Sequence, residues 1–253
     1  MFEKSEYTET LLNALDLSLP LSGEFPTLEQ GEVHIWTVSI LGIRSQLDQL
    51  KSLLTKEEAA KMSFYEFEHT QHSYIATQAV LRVMLSLYLD IKPGEVKLGA
   101  RSKGKPFLIH DRPIFFNLSN SDGLCVFAFS GDGEVGIDLE RIREMSDIEQ
   151  LIQKNLTNRE KEYVLKDPDK KLRRFFRFWT YKESYLKAIG EGMRLTPDNL
   201  EFSVEEGKIR LRSVNYGYER TDWQLKEFTR DGNFTGTLTF APRGLKIREM
   251  LPI

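Results

Sequence analysis

The stretch FWTYKESYLKAIGEG, residues 178–192, places an acid and a cation where they could act together. In a helix of 3.6 residues per turn, Trp179, Glu183 and Lys187 stack on one face, and Gly190 follows as a C-cap. A carboxylate that binds metal or accepts a proton would then lie one turn from a cation that can hold phosphate. The alternative is an exposed ion pair, which contributes only about 0.2–0.5 kcal/mol to helix stability.

The segment GIDLE, residues 136–140, contains two carboxylates. If it forms a strand, Asp138 and Glu140 share one face, while Ile137 and Leu139 pack on the other. Two carboxylates about 7 Å apart on a rigid strand suit a hard divalent cation such as Mg²⁺. The same pattern also describes the solvated face of a half-buried strand, so the motif alone leaves both interpretations open.

Two further segments carry groups that could bind phosphate. RSKGKP gathers three cations around a glycine: Arg101, Lys103 and Lys105. FNLSNS ends a strand with small polar groups, Ser119 and Asn120, whose hydroxyl and amide can donate to phosphate oxygens. Each segment alone also fits a solvated loop. Together the segments supply a metal site, a base with a cation, and a phosphate clamp, which predicts phosphoryl chemistry on a nucleotide-like ligand with Mg²⁺.

Two other candidates favour simpler interpretations. Cys125, the one cysteine of the chain, lies in the apolar run LCVFAF, which predicts core packing rather than a nucleophile. His69 and His72 could share a helix face, but no third ligand stands nearby in the sequence, so the pattern argues against a zinc site.

The composition is that of an ordinary soluble protein. The 253 residues are 40% hydrophobic and 29% charged. The net charge of −3 and the pI near 5.9 provide no basic field for general nucleic-acid binding. The N-terminus lacks the basic-then-apolar pattern of a signal peptide, and no apolar run approaches the ~20 residues of a membrane span. We therefore expect a cytoplasmic protein that binds neither membrane nor nucleic acid.

The predicted strands and helices that position these residues occur twice in the same order along the chain: a strand, then helices, then short strands. EVHIWTVSI reads as a strand, and residues 47–89 have a helical pattern in which Thr55 and Glu58 form a capping box. After the turn GDGE the order returns: the strand VGIDLERI, helices to Ile189, then short strands. The order predicts an α+β fold of two similar halves with a ligand cleft between them. The predicted ranges are a lead-in at 1–30 and halves at 31–133 and 134–253.

Four motifs together resemble a known family. VGIDLERI followed by FWTYKESYLKAIGEGM is similar to the paired signature of 4'-phosphopantetheinyl transferases of the surfactin-synthetase-activating (Sfp) type, and KGKPFL and FNLSNS match its two upstream motifs. The resemblance implies a pseudo-twofold α+β monomer with coenzyme A bound between the halves. It also implies Mg²⁺-dependent transfer of the phosphopantetheine arm to a serine of an acyl- or peptidyl-carrier domain, with release of adenosine 3',5'-bisphosphate.

The resemblance also implies roles for single residues. Asp138, Glu140 and Glu183 would hold Mg²⁺, and Glu183 would act as, or position, the base for the incoming serine. Lys187 would steady the pyrophosphate charge. The remaining coenzyme A contacts would come from Arg101, Lys105, Ser119 and Asn120. The chain departs from the family at two phosphate-contacting positions, because Asn120 replaces a histidine and Ser73 replaces an arginine.

Two alternatives belong to other functional classes. A metal-dependent nuclease could combine Asp138 with the segment Glu206-Gly207-Lys208, although the acidic pI argues against it. A non-catalytic relic that only binds carriers would fit the two departures at Asn120 and Ser73. Mg²⁺-dependent binding of coenzyme A would distinguish the nuclease from the transferase and the relic. Turnover with an apo-carrier would then distinguish the transferase from the relic. The sequence does not reveal which carrier or pathway the protein serves.

Overall fold

The computed structural model describes residues 25–41, 47–190, 196–206, 208–214 and 223–250. Helices and strands both contribute, so the predicted α+β class is confirmed. The α-helices are α1 Leu47–Lys51, α2 Lys56–Lys61, α3 Glu68–Leu89, α4 Ile148–Asn155, α5 Asn158–Leu165 and α6 Lys171–Ile189. The strands are β1 Glu32–Ser39, β2 Leu98–Ala100, β3 Pro106–Leu108, β4 Phe115–Ser121, β5 Leu124–Ser130, β6 Val135–Arg141, β7 Leu200–Glu205, β8 Lys208–Val214, β9 Gln224–Arg230, β10 Phe234–Phe240 and β11 Lys246–Met250.

Two sheets form the centre of the structure. The first has the order β11-β1-β5-β4 and the second the order β6-β10-β9, while β2–β3 and β7–β8 are separate hairpins. Alternate residues of β1 point to opposite faces: Val33 and Ile35 pack against the second sheet, and Trp36 and Val38 pack against α3. The strand is thus buried on both faces.

One long helix covers the outer face of each sheet. The apolar side of α3 packs on the first sheet through residues such as Ala79 and Val83, and α6 packs on β6 and β10. The layers therefore run helix, sheet, sheet, helix. This arrangement is compatible with the predicted similarity of the two halves. Within the described residues, no helix combines the length and apolarity needed to span a membrane.

Local signals set the helix ends. Thr55 and Glu58 form the predicted capping box, in which each side chain bonds the other residue's backbone N–H. Gly190 adopts φ of 70° and donates its N–H to Leu186 O, which confirms the predicted C-cap of α6. The helical pattern predicted across residues 47–89 is divided into three α-helices by the turns at residues 52–55 and 65–67.

The last described strand pairs across the predicted division into halves. β11 pairs in parallel with β1, with Glu32 opposite Lys246, and so belongs to the first sheet although it follows every strand of the second. The pairing covers an edge of β1 that would otherwise expose unpaired backbone groups. The boundary near residues 133 and 134 stays a prediction. Of the predicted lead-in, residues 1–24 lie outside the described residues, as do residues 191 and 192 of the opening motif.

Candidate active site

Three of the predicted site residues meet between β4, β6 and α6. The ammonium of Lys187 lies 2.7 Å from Asp138 Oδ1, 3.0 Å from Ser119 Oγ and 3.3 Å from the carbonyl oxygen of Ile137. The Ser119 hydroxyl donates to the same Asp138 oxygen at 2.9 Å. Residues separated by 19 to 68 positions in the chain thus form one charged cluster.

Close packing of β6 against α6 creates this cluster. On β6, Asp138 and Glu140 alternate with Ile137 and Leu139, which are fully buried between the sheets. Gly136 provides the close approach, because a Cβ at that position would collide with the Ser184 carbonyl oxygen and the Ala188 backbone nitrogen. The last turns of α6 therefore lie directly on the β6 backbone.

The acidic side chains near Lys187 are buried or half-buried, and this lysine offsets only part of their negative charge. Asp138 is buried, and its Oδ2 has no hydrogen-bond partner. Burial and the neighbouring Asp138 raise the pKa of Glu140 to about 7. Burial and Asp138 also raise the pKa of Glu183, and Lys187 opposes that shift. Such shifts indicate a site that an added cation would stabilise.

The donor set fits Mg²⁺ in its chemistry. Oxygen atoms of carboxylates are the ligands that Mg²⁺ prefers, and the Asp138 Oδ2 atom is buried without a hydrogen-bond partner. In the part of the chain that the structure describes, however, no three acidic, histidine or cysteine side chains stand close enough to form a metal-binding group. Lys187 supplies the positive charge beside Asp138 instead.

Strand β4 attaches to β6 through side chains that the sequence analysis did not single out. Asn117 Oδ1 accepts the Ile137 N–H at 2.9 Å, and Ser121 Oγ accepts the Arg141 N–H at 3.1 Å. The Ser121 hydroxyl also donates to Glu140 Oε2 at 3.2 Å. Both residues share the strand face of Ser119, so the period of two in FNLSNS was the signal that could have identified them.

The structure separates Asn120 from this cluster. On β4 its side chain is exposed and alternates with Ser119, so it points to the opposite sheet face. In the strand register Asn120 pairs with Cys125, whose sulfur lies 3.3 Å from the Thr77 hydroxyl of α3. The predicted coenzyme A contact at Asn120 would therefore be made on the α3 side of the sheet.

Two of the three cations in the β2–β3 hairpin contact Glu134, an acid that the sequence analysis did not consider. Lys105 Nζ donates to Glu134 Oε2 at 2.7 Å and to the carbonyl oxygens of Val135 and Ala188, each at 3.0 Å. Burial lowers the pKa of Lys105, and Glu134 opposes that shift. Arg101 forms an ion pair with the other carboxylate oxygen of Glu134. The structure thus brings Arg101 and Lys105 together.

Cys125 packs in the core as predicted, whereas the interpretation of the two histidines stays a prediction. Cys125 is fully buried in the core beside α3, and burial raises the pKa of its thiol to about 11. His72 pairs with Glu68 at 3.5 Å, and within the described ranges neither His69 nor His72 joins a metal-binding group. Glu206, of the nuclease alternative, follows β7 in the separate β7–β8 hairpin, whereas Asp138 lies in the second sheet.

Comparison with known proteins places this geometry in a family. Residues 134–239 match the family model described as the 4'-phosphopantetheinyl transferase superfamily, and residues 41–131 match the model described as 4'-phosphopantetheinyl transferase, N-terminal. The chain is 34% identical to 4'-phosphopantetheinyl transferase HetI of Nostoc sp. (strain PCC 7120 / SAG 25.82 / UTEX 2576), over 86% of this chain and 91% of that protein. The chain belongs to the 4'-phosphopantetheinyl transferase superfamily.

Two further transferases match shorter parts of the chain. The chain is 36% identical to the 4'-phosphopantetheinyl transferase gsp of Aneurinibacillus migulanus, over 57% of this chain and 59% of that protein. It is 27% identical to the human L-aminoadipate-semialdehyde dehydrogenase-phosphopantetheinyl transferase, over 68% of this chain and 62% of that protein. The crystal structure of Thermotoga maritima holo-[acyl-carrier-protein] synthase (AcpS) aligns with a TM-score of 0.36 and 21% identity, over 42% of this chain and 61% of that one. Membership of this transferase family leaves the nuclease alternative without support.

Proposed function

We propose that this phosphopantetheinyl transferase moves the phosphopantetheine arm of coenzyme A onto a serine hydroxyl of an acyl- or peptidyl-carrier domain. In this reaction the serine oxygen bonds to the pantetheine-linked phosphorus, and the bond from that phosphorus to the bridging oxygen breaks. Adenosine 3',5'-bisphosphate leaves with the bridging oxygen. The observation that carries the proposal is the meeting of Lys187, Asp138 and Ser119, in a chain of this family.

Glu183 is the proposed base. A serine hydroxyl is a weak nucleophile until a neighbouring group accepts its proton. Glu183 lies one helical turn before Lys187, and burial with the nearby Asp138 raises its pKa, which makes its carboxylate a better proton acceptor. The proton lost by the serine would pass to the Glu183 carboxylate as the new bond to phosphorus forms.

Lys187 is the proposed cation for the pyrophosphate. Its ammonium is held in place by Asp138 and Ser119, and the side chain as a whole is about one-quarter exposed. As the bond to the leaving group breaks, negative charge grows on the bridging oxygen. A fixed ammonium near that oxygen stabilises the transition state more than the ground state.

The proposed Mg²⁺ ligands are Asp138, Glu140 and Glu183, whose side chains would have to draw together around the ion, because in the described residues they do not form a metal-binding group. The support is the unpartnered Oδ2 of Asp138 and the raised pKa values of Glu140 and Glu183. When bound, Mg²⁺ would offset pyrophosphate charge and polarise the phosphorus. Ser121 would orient the Glu140 carboxylate through its hydrogen bond at 3.2 Å.

The nucleotide end of coenzyme A is proposed to contact the first half of the chain. Arg101, Ser119 and Asn120 are the candidate residues, whereas Lys105, the fourth residue predicted to contact coenzyme A, donates all three N–H groups within the protein. Arg101 is about two-fifths exposed and Asn120 is exposed, so a phosphate can reach both. Ser119 is buried beside Lys187 and would act with that ammonium. We further propose that the enzyme acts as a monomer in the cytoplasm and, given its net charge of −3, without nucleic acid.

Intact mass spectrometry of carrier domains tests the proposal. The protein would be incubated with coenzyme A, Mg²⁺ and a panel of acyl- and peptidyl-carrier domains in their apo forms. We expect at least one carrier to gain one phosphopantetheinyl group, and the matched carrier with alanine at the acceptor serine to gain none. A chelator should abolish the reaction. Binding of coenzyme A without modification of any carrier would instead identify a non-catalytic relic.

A further inference from the structure

Lys105 uses all of its hydrogen-bonding capacity within the protein. An ammonium group has three N–H donors, and the three acceptors of Lys105 lie 2.7 to 3.0 Å away. The side chain is only 7% exposed. In this state it presents no free donor to a phosphate. Its position in the motif suggests a phosphate ligand, but its contacts indicate a different role.

The acceptors of Lys105 belong to the two elements that carry the catalytic cluster. Val135 is the first residue of β6, three positions before Asp138. Ala188 follows Lys187 directly in the last turn of α6, where backbone carbonyls have no partner within the helix. A cation at this end also interacts favourably with the helix dipole. One ammonium group thus ties the end of α6 to the start of β6.

The surrounding contacts hold this ammonium in place. Glu134 accepts from Lys105 through one carboxylate oxygen and pairs with Arg101 through the other. A paired carboxylate offsets the cost of burying the lysine charge. The Lys105 stem also packs on the C-cap of α6, since a Cβ at Gly190 would lie 3.3 Å from Lys105 Cδ. The hairpin between β2 and β3 is therefore anchored against the second half of the chain.

We propose that Lys105 and Glu134 form a clamp that positions the last turn of α6 on β6, and thereby positions Lys187 against Asp138. Lys105 is then a positioning residue rather than a phosphate ligand. Arg101, which contacts Glu134 and is about two-fifths exposed, and the exposed Lys103 are the hairpin cations left to bind phosphate. The expected effect of the clamp on kcat rests on the proposed function, whereas its expected effect on the position of the last turn of α6 does not.

The first test measures kinetics with Lys105→Met, Glu134→Gln and, as the matched variant, Arg101→Gln. We expect Lys105→Met to lower kcat at least about 10-fold and to change the KM for coenzyme A less than about 3-fold, with a smaller kcat loss for Glu134→Gln. The loss should be equal with coenzyme A and 3'-dephospho-coenzyme A. Arg101→Gln should mainly raise the KM. A Lys105→Met variant with unchanged kcat and a raised KM for coenzyme A would overturn the proposal.

The second test needs no activity. Hydrogen exchange followed by mass spectrometry should show faster exchange in the last turn of α6 in Lys105→Met and Glu134→Gln, and wild-type exchange there in Arg101→Gln. Glu134→Gln keeps the size of the side chain, so it remains informative if Lys105→Met does not fold. Unchanged exchange in that turn in Glu134→Gln would overturn the clamp. If the wild type modifies no carrier, the proposed function is wrong. Hydrogen exchange in the last turn of α6 would still test whether Lys105 and Glu134 position that turn.

Discussion

Lys187 Nζ lies 2.7 Å from Asp138 Oδ1, and the second oxygen of that carboxylate is buried without a hydrogen-bond partner. The two residues are 49 positions apart and reach each other because α6 packs directly on β6. A buried carboxylate oxygen without a partner costs free energy. Lys187 therefore satisfies one oxygen of Asp138 and leaves the other oxygen without a partner, which a bound cation would supply.

Replacing the proposed base should remove most of the activity without unfolding the protein. Glu183→Gln keeps the shape of the side chain but cannot accept a proton, and a general base contributes about 10²–10⁴-fold to the rate. Asp138→Ala should cause a similar loss, because it removes a proposed metal ligand and the partner of Lys187. The assay is carrier modification followed by intact mass, with exposed Glu144→Gln as the control. Wild-type turnover in Glu183→Gln would exclude the residue as base.

Filling the contact between β6 and α6 should damage both stability and activity. In Gly136→Ala the new Cβ would collide with the backbone of Ser184 and Ala188, so α6 must shift. Overpacking of this kind costs about 1–3 kcal/mol. Gly131→Ala is the matched control, because its Cβ would meet nothing within 4 Å. Urea unfolding and kcat should both separate the two variants, and equal kcat values would show that the contact does not position the site.

Lys182, next to the proposed base, should prove structural. Its ammonium lies 2.6 Å from Glu160 Oε2, both side chains are fully buried, and it donates to three backbone carbonyls. Removing one partner of such a pair leaves an uncompensated charge and costs about 3–5 kcal/mol, so Lys182→Met should lower the free energy of unfolding by that amount. Removing both charges in Lys182→Met/Glu160→Gln should cost less than the sum of the single changes.

An exposed ion pair nearby in the chain serves as the control for the buried pair of Lys182 and Glu160. Arg159 pairs with Glu201 at 3.2 Å but is 72% exposed. Arg159→Gln should therefore change the free energy of unfolding by no more than about 1 kcal/mol. A comparable loss in Arg159→Gln and Lys182→Met would contradict the burial argument.

The contribution of His34 to stability should fall in mild acid, and the raised pKa values of Glu140 and Glu183 act in the opposite direction. The ring is fully buried, with Nδ1 2.8 Å from the Tyr88 hydroxyl and Nε2 3.2 Å from Glu32. Burial lowers the pKa of His34, and Arg248 adds to that shift while Glu32 opposes it. Below the unfolded-state pKa of about 6.5 the unfolded chain therefore takes up a proton before the folded chain does. The stability gained from neutral His34 is complete above that pH and declines as the pH falls below it.

Unfolding free energies between pH 8 and pH 5 check this behaviour. The free energy of unfolding of the wild type relative to His34→Gln should fall below about pH 6.5, while the exposed His69→Gln should follow the wild type. Glu32 has a lowered pKa, in which burial opposes the hydrogen bonds from His34 and Arg248, so its contribution is lost only at lower pH. Parallel curves for wild type and His34→Gln would exclude the histidine as the cause.

Restoring the family histidine at position 120 should improve coenzyme A binding. Asparagine donates only a neutral hydrogen bond, whereas a protonated imidazole adds charge, and the difference corresponds to about 10-fold in affinity. Asn120→His should therefore lower the KM for coenzyme A, more at pH 6 than at pH 8, with kcat little changed. Asn120→Ala is the control. If all three proteins have the same KM, residue 120 does not contact the ligand.

The local elements and the chemistry-bearing motifs were predictable from the sequence. The capping box at Thr55 and the C-cap at Gly190 depend on residues within one turn of each other, so a linear pattern contains the whole signal. The placing of Asp138 and Glu140 on one strand face depends only on the period of two. The same rule, applied to FNLSNS, would have placed Ser119 and Asn120 on opposite faces and identified Asn117 and Ser121 beside Ser119.

Only the tertiary structure decided which distant groups meet. The contacts of Lys187 with Asp138, of Lys105 with Glu134 and Ala188, and of β11 with β1 join segments 29 to more than 200 positions apart. Their geometry follows from the packing of two sheets and two long helices, to which no short motif refers. The sequence by itself determined the residues available for phosphoryl transfer. Packing determined that Lys187 faces the carboxylates and that Lys105 is buried against the end of α6.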